Sequence, residues 1–109
     1  MKDKALGRMK QGTMNKTEQA YANYLETLKQ MGQIKAWWFE PEGLRLADKT
    51  FYHPDFRIIR DDGYIEFHEV KGFWRDDAKV KIKVAAKDHW LYTFVIVRKI
   101  RGGWDFEEV

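Results

Sequence analysis

The sequence predicts an α/β sandwich built around a mixed sheet. Three observations predict it. Two segments carry apolar residues at helical spacing. Several aromatic and β-branched runs are bounded by Gly, Pro or Asp-Gly turn signals. Between the second helical segment and the end of the chain lies a nearly continuous apolar run, LYTFVIV, the pattern of a strand covered on both faces. The inferred order is helix, strands, helix, strand.

Asn15-Lys16-Thr17-Glu18 has the form of a capping box, with Asn15 as N-cap and Glu18 three residues on. Tyr21, Tyr24, Leu25 and Leu28 then recur at helical spacing, and Gly32 is a natural helix stop. The spacing predicts a helix over 16–31, with Glu18 at the edge of its buried face. Residues 34–40 (IKAWWFE) read as a strand that stops at Pro41. Residues 43–46 and 50–53 flank Ala47-Asp48-Lys49 and read as a hairpin. A strand over 56–60, the Asp62-Gly63 turn and a strand over 64–71 form a second hairpin.

Residues 76–89 alternate like a strand at Val80, Ile82 and Val84, but Ala78, Ile82, Ala85, Ala86 and His89 keep helical spacing. Asp76 and Asp77 suit an N-cap and first turn, so a helix is predicted. Residues 91–97 are the covered strand, and Gly102-Gly103 turns the chain into residues 104–109. Trp37 and Trp90 are expected in the core. Trp74 is placed to stack on an unpaired base, although packing is the commoner role for such a side chain.

The chain has 109 residues, 44% of them hydrophobic, enough for a single core. Without cysteine, disulfides and thiolate metal sites are excluded. No apolar run approaches the roughly 18 residues of a membrane span, and the start of the chain lacks an apolar signal core. The expectation is a soluble cytoplasmic protein with no membrane partner. Formal net charge is +3. The excess lies in residues 1–14, where Lys2, Lys4, Arg8 and Lys10 face only Asp3. This predicts a basic arm over 1–14, suited to phosphate or simply solvated, ahead of one domain over 15–109.

The chemistry concentrates in residues 53–72, HPDFRIIRDDGYIEFHEVKG. Asp55 follows Pro54, which cannot donate to a ladder, so the chain there is an edge or a distortion. Glu69 and Lys71 are two apart on one strand and share a face with Ile65 and Phe67. Charged groups that close an apolar face are costly unless paired or bound to an ion. A plain ion pair is one explanation. A divalent cation on Asp55, Glu69 and the Val70 carbonyl is the other, because Mg²⁺ takes oxygen ligands and keeps several waters. Lys71 would then orient or help deprotonate a bound water, or offset phosphate charge. Glu18 would add a further carboxylate. His53 shares a face with Asp55, which leaves a histidine-containing metal site open; alternation turns His68 away from Glu69 and argues against it.

Pro54-Asp55, then Glu69-Val70-Lys71, with Glu18 on a preceding helix, resembles the PD-(D/E)XK nuclease superfamily, and the sequence looks most like small phage-encoded members, more distantly like archaeal Holliday-junction resolvases. The resemblance covers residues 15–98. It implies a three-layer-like restriction-endonuclease fold with an αβββαβ core, a mixed central sheet flanked by helices. It also implies a Mg²⁺-dependent endonuclease acting on DNA, with Mn²⁺ as a substitute and branched or recombination DNA as a candidate substrate. Asp55 and Glu69 would be metal ligands with Val70, Lys71 the water-orienting lysine, and Glu18 an accessory acid. The lysines of the second helix, Lys79, Lys81, Lys83 and Lys87, would face nucleic acid, with Lys10, Lys16 and Arg75 extending that path. One site per small chain favours a homodimer for two-strand cutting, and a phage origin would place the protein in the host cytoplasm. The alternative on the same fold is a non-catalytic nucleic-acid-binding module or a phage interaction protein.

Overall fold

The computed structural model describes residues 12–71 and 76–109, with side chains omitted for 76–78. The first helix, α1 (Lys16–Gln30), begins with the predicted capping box. Asn15 Oδ1 accepts from the Glu18 amide at 2.8 Å, and Glu18 Oε1 accepts from the Asn15 amide at 2.9 Å. Met31 is the C-cap, and Gly32 follows at φ +78°, the left-handed conformation that ends helices. Strand β1 (Ile34–Phe39) comes next, followed by β2 (Leu44–Ala47) and β3 (Thr50–Tyr52), then β4 (Phe56–Arg60) and β5 (Ile65–Lys71). After them come α2 (Asp76–Asp88), β6 (Thr93–Ile100) and β7 (Gly103–Glu108).

Five strands form one mixed sheet in the order β1-β4-β5-β6-β7, and β2 and β3 form a separate two-stranded sheet. All neighbours in the larger sheet are antiparallel except β5 and β6, which run parallel and are joined through α2. A parallel pair needs such a crossover, which explains why the helical reading of residues 76–89 prevails over the alternating one. Ile82 and Ala85 are buried, whereas Val80 and Val84 are exposed.

Each face of the larger sheet carries its own core. Tyr21, Ala22 and Leu25 of α1 pack on Phe56, Ile58, Val70, Val95 and Val97. On the other face, Ile82 and Ala85 of α2 join Leu44 and Tyr52 of the small hairpin over Phe67, Phe94 and Ile96. Large side chains such as Tyr21, Phe56 and Phe67 are fully buried, at roughly 1.5–3 kcal/mol each for apolar side chains of that size. Strand β6 is buried from Phe94 to Val97, as expected for a strand covered on both sides.

Trp37 packs against the α1 core. Trp90 does not enter either core, contrary to the sequence expectation: it is 75% exposed in the turn after α2. The helix ends at Asp88, before the position where Trp90 would have rotated inward. No helix among the described residues is long and apolar enough to cross a membrane.

Candidate functional site

The site lies where β4 begins and β5 ends. Pro54 is buried, and Asp55 sits in a bend just before β4. The strand is an interior one, so of the two expectations for the Pro-Asp step, edge or distortion, the structure has the distortion. Ladder pairing between β4 and β5 ends at Phe56 opposite His68. One step on, the Val70 amide has no β4 backbone partner and instead donates to Asp55 Oδ2 at 2.8 Å. A buried N–H needs an acceptor, and the carboxyl of Asp55 supplies it. In an extended strand the N–H and C=O of one residue point the same way, so the Val70 carbonyl also faces the β4 side, where Asp55 lies.

Glu69 and Lys71 share the opposite face of β5 from His68 and Val70. Glu69 is 6% exposed. Both of its oxygens are engaged: Tyr52 Oη donates to Oε1 at 2.7 Å, and Lys71 Nζ lies 3.2 Å from Oε2. Asp55 is close enough to Glu69 to hydrogen-bond it. The two acids and the lysine therefore converge on one place.

The electrostatics follow from that crowding. Burial, and then the nearby charge of Glu69, push the Asp55 carboxyl up to about 8. Burial also raises Glu69, against the pull of the Tyr52 hydroxyl and Lys71. Burial works against the Lys71 charge, but Glu69 and Asp55 outweigh it, and its pKa is raised. Lys71 is thus a cation at neutral pH. Glu18 acts on both Asp55 and Lys71 through its charge while one of its oxygens closes the capping box. The N-terminal turn of α1 therefore lies within electrostatic range of Asp55 and Lys71.

Among the described residues no cluster of three or more His, Asp or Glu side chains is arranged to hold a metal by itself. The donor set is two carboxylates and a backbone carbonyl. That set fits Mg²⁺ or Mn²⁺, which are commonly held by one or two carboxylates, with waters and substrate phosphate completing the shell.

His53 is exposed beyond the end of β3, its ring beside Gly43 and 6.2 Å from that of Phe51. His68 points to the other face of the sheet, as alternation requires. Its Nδ1 hydrogen-bonds Tyr21 Oη at 2.6 Å, and its Nε2 hydrogen-bonds Glu66 Oε1 at 2.7 Å. Arg60 extends this chain to Glu66 at 3.6 Å. A buried histidine with both nitrogens partnered explains the polar residues on that face without a metal.

Lys16, Lys79, Lys81, Lys83 and Lys87 are all exposed. The four lysines of α2 do not form one stripe. Lys79 and Lys83 line a groove of about 370 Å³ with Ile82, Ile96, Glu107 and Glu108, whereas Lys81 lies on the opposite flank beside Val80, Val84 and Leu46. Lys10, Arg75, Trp74 and the basic arm up to residue 11 lie outside the described residues.

Tyr52 is the site residue that sequence reasoning missed. Its phenol reaches Glu69 only because the separate β2–β3 hairpin folds over the sheet, a placement for which the local sequence carries no signal. No family model matches the chain, and no curated protein or solved structure gives a significant match to it.

Proposed function

We propose that the chain is a Mg²⁺-dependent endonuclease that hydrolyses phosphodiester bonds of DNA, on a restriction-endonuclease type of fold within the PD-(D/E)XK superfamily. The observation that carries this reading is the convergence of Asp55, Glu69 and Lys71 at the end of β5, with the buried carboxyl of Glu69 near the partly buried one of Asp55 and a lysine beside them. Like charges buried together are costly, and a bound cation is a direct means of relieving that cost.

Asp55, Glu69 and the Val70 carbonyl would hold the ion. When bound, Mg²⁺ polarises a phosphoryl oxygen and lowers the pKa of its water. Lys71 stays protonated beside Glu69, so its part is to hydrogen-bond and orient the attacking water and to offset charge on the phosphate, rather than to remove a proton. Hydrolysis would form a bond from the water oxygen to phosphorus, with the water's proton released to solvent, and break the bond to the leaving sugar oxygen, which takes up a proton from solvent. Glu18, at the border of the site, orients water from the helix side. The exposed lysines, Lys16 at the start of α1 and Lys79, Lys81, Lys83 and Lys87 on α2, hold the DNA backbone.

Supercoiled plasmid incubated with the protein in Mg²⁺, in Mn²⁺ and in EDTA tests the reading. Cleavage should require the metal and should disappear in Lys71→Ala and Asp55→Ala, with DNA affinity retained in Lys71→Ala. Salt-sensitive binding without metal-dependent cleavage would assign the chain to non-catalytic binding instead. Equal cleavage by wild type and both variants would remove the assignment.

A further inference from the structure

Two hydrogen bonds at the site have a common effect. The Val70 amide occupies Asp55 Oδ2 at 2.8 Å, and the Tyr52 hydroxyl occupies Glu69 Oε1 at 2.7 Å. Each carboxyl is left with one oxygen clear of a fixed donor from the backbone or the hairpin. Lys71 does reach Glu69 Oε2, but its ammonium ends a flexible and half-exposed side chain. The phenol has no such freedom. Tyr52 is 5% exposed, packed near Phe94 and paired with Leu44 across the hairpin ladder.

We infer that Tyr52 is a positioning residue that, together with the Val70 amide, restricts the two carboxyls to one-oxygen coordination and thereby selects small octahedral cations over Ca²⁺. This rests on the metal-site reading above. Mg²⁺ and Mn²⁺ fill an octahedron and accept single oxygens readily. Ca²⁺ takes about 6–8 oxygens, and carboxylates that chelate it with both oxygens help to reach that number. Two single oxygens and the Val70 carbonyl supply half of an octahedral shell but well under half of an eight-fold one. A carboxylate whose second oxygen is held by a buried phenol cannot turn to chelate without breaking that hydrogen bond. Removing the phenol oxygen frees Glu69 Oε1 and lets Glu69 bind with both oxygens.

The test uses Tyr52→Phe, which keeps the ring, and reads cation binding directly. Mn²⁺ affinity is measured by electron paramagnetic resonance, and Ca²⁺ affinity by its competition with Mn²⁺. Leu44→Ala serves as the control, because it loosens the same hairpin packing and leaves the phenol in place. In wild type Mn²⁺ should bind at least tenfold more tightly than Ca²⁺. In Tyr52→Phe that ratio should narrow by threefold or more, with kcat in Mg²⁺ reduced and KM for DNA unchanged. In Leu44→Ala the ratio should stay as in wild type. An unchanged ratio in Tyr52→Phe, or an equal change in Leu44→Ala, overturns the role of the phenol while leaving the metal site standing. Absence of Mn²⁺ binding by wild type overturns the metal site, and this inference with it.

Discussion

The Val70 amide donates to the carboxyl of Asp55 across the point where β4 stops pairing with β5, so one side chain completes a backbone ladder. This ties the position of Asp55 to the strand that carries Glu69 and Lys71. It also holds an acid partly buried where its charged form is disfavoured.

The pH dependence of stability follows in sign. In the folded chain the Asp55 carboxyl is pushed up to about 8 from an ordinary value of 3.8, by burial first and Glu69 second. Between those values the folded protein binds a proton that the unfolded chain has released, so stability falls as pH rises through that window. In EDTA, Asp55→Asn keeps an acceptor for the Val70 amide and removes the charge. Its melting temperature should match wild type near pH 3, below the unfolded value, and exceed it increasingly up to pH 9. A gain of about 1 kcal/mol corresponds to roughly 4–8 °C. Equal melting temperatures at pH 9 would show that Asp55 ionises there without cost.

The Tyr21–His68–Glu66 chain predicts a stability loss of a different kind. Tyr21→Phe leaves a buried ring nitrogen of His68 without its partner, a change of about 1–3 kcal/mol. The hydrogen bond from His68 and the charge of Arg60 hold the Glu66 carboxyl below its usual range. Its contribution is therefore complete at neutral pH and is lost as pH falls through that lowered value. Denaturant unfolding of Tyr21→Phe at pH 7 checks the first effect. Acid unfolding of His68→Asn, which should be less steep than that of wild type, checks the second.

Asn15→Ala should cost about 1 kcal/mol through loss of the N-cap. Because the same box fixes Glu18, whose charge acts on Asp55 and Lys71, cleavage should fall further than stability alone accounts for. Thr17→Ala, on the same turn but outside the box, serves as the comparison in a plasmid assay run well below the melting temperature.

Glu107 and Glu108 share a groove with Lys79 and Lys83 and weaken its attraction for phosphate. Glu108→Gln should tighten DNA binding at low salt by a few-fold and steepen the salt dependence. Lys79→Ala should do the reverse, with the slope falling by about 0.9 for each phosphate that is no longer neutralised. Fluorescence anisotropy across a salt series measures both.

Much of this architecture was legible in advance because its signals are local. The capping box at Asn15 and Glu18, the Asp62-Gly63 turn and the apolar run before Arg98 each report on a few consecutive residues, and each stands where the sequence placed it. The strand alternation that sets Glu69 and Lys71 on one face and His68 on the other is equally local. Tyr52 and the split between the α2 lysines were not legible. They depend on how the β2–β3 hairpin and β7 pack against distant elements, and no short stretch encodes that. Trp90 failed for a related reason, since helical spacing extrapolated past Asp88 assigns a face to a residue already in a turn.

The parallel pairing of β5 with β6 has a consequence for how the chain acquires its chemistry. Asp55 meets Glu69 through a short antiparallel hairpin that can close early, but β5, the strand that carries Glu69, is walled on its far side only when residues 93–100 return through α2. Tyr52 and Glu18 arrive from two further elements. Contacts of long sequence separation form late, because loop closure must precede the stabilisation they bring. A nascent or partly folded chain therefore exposes the hairpin before its acids are enclosed, and the complete arrangement of Asp55, Glu69, Tyr52 and Glu18 exists only in the finished molecule.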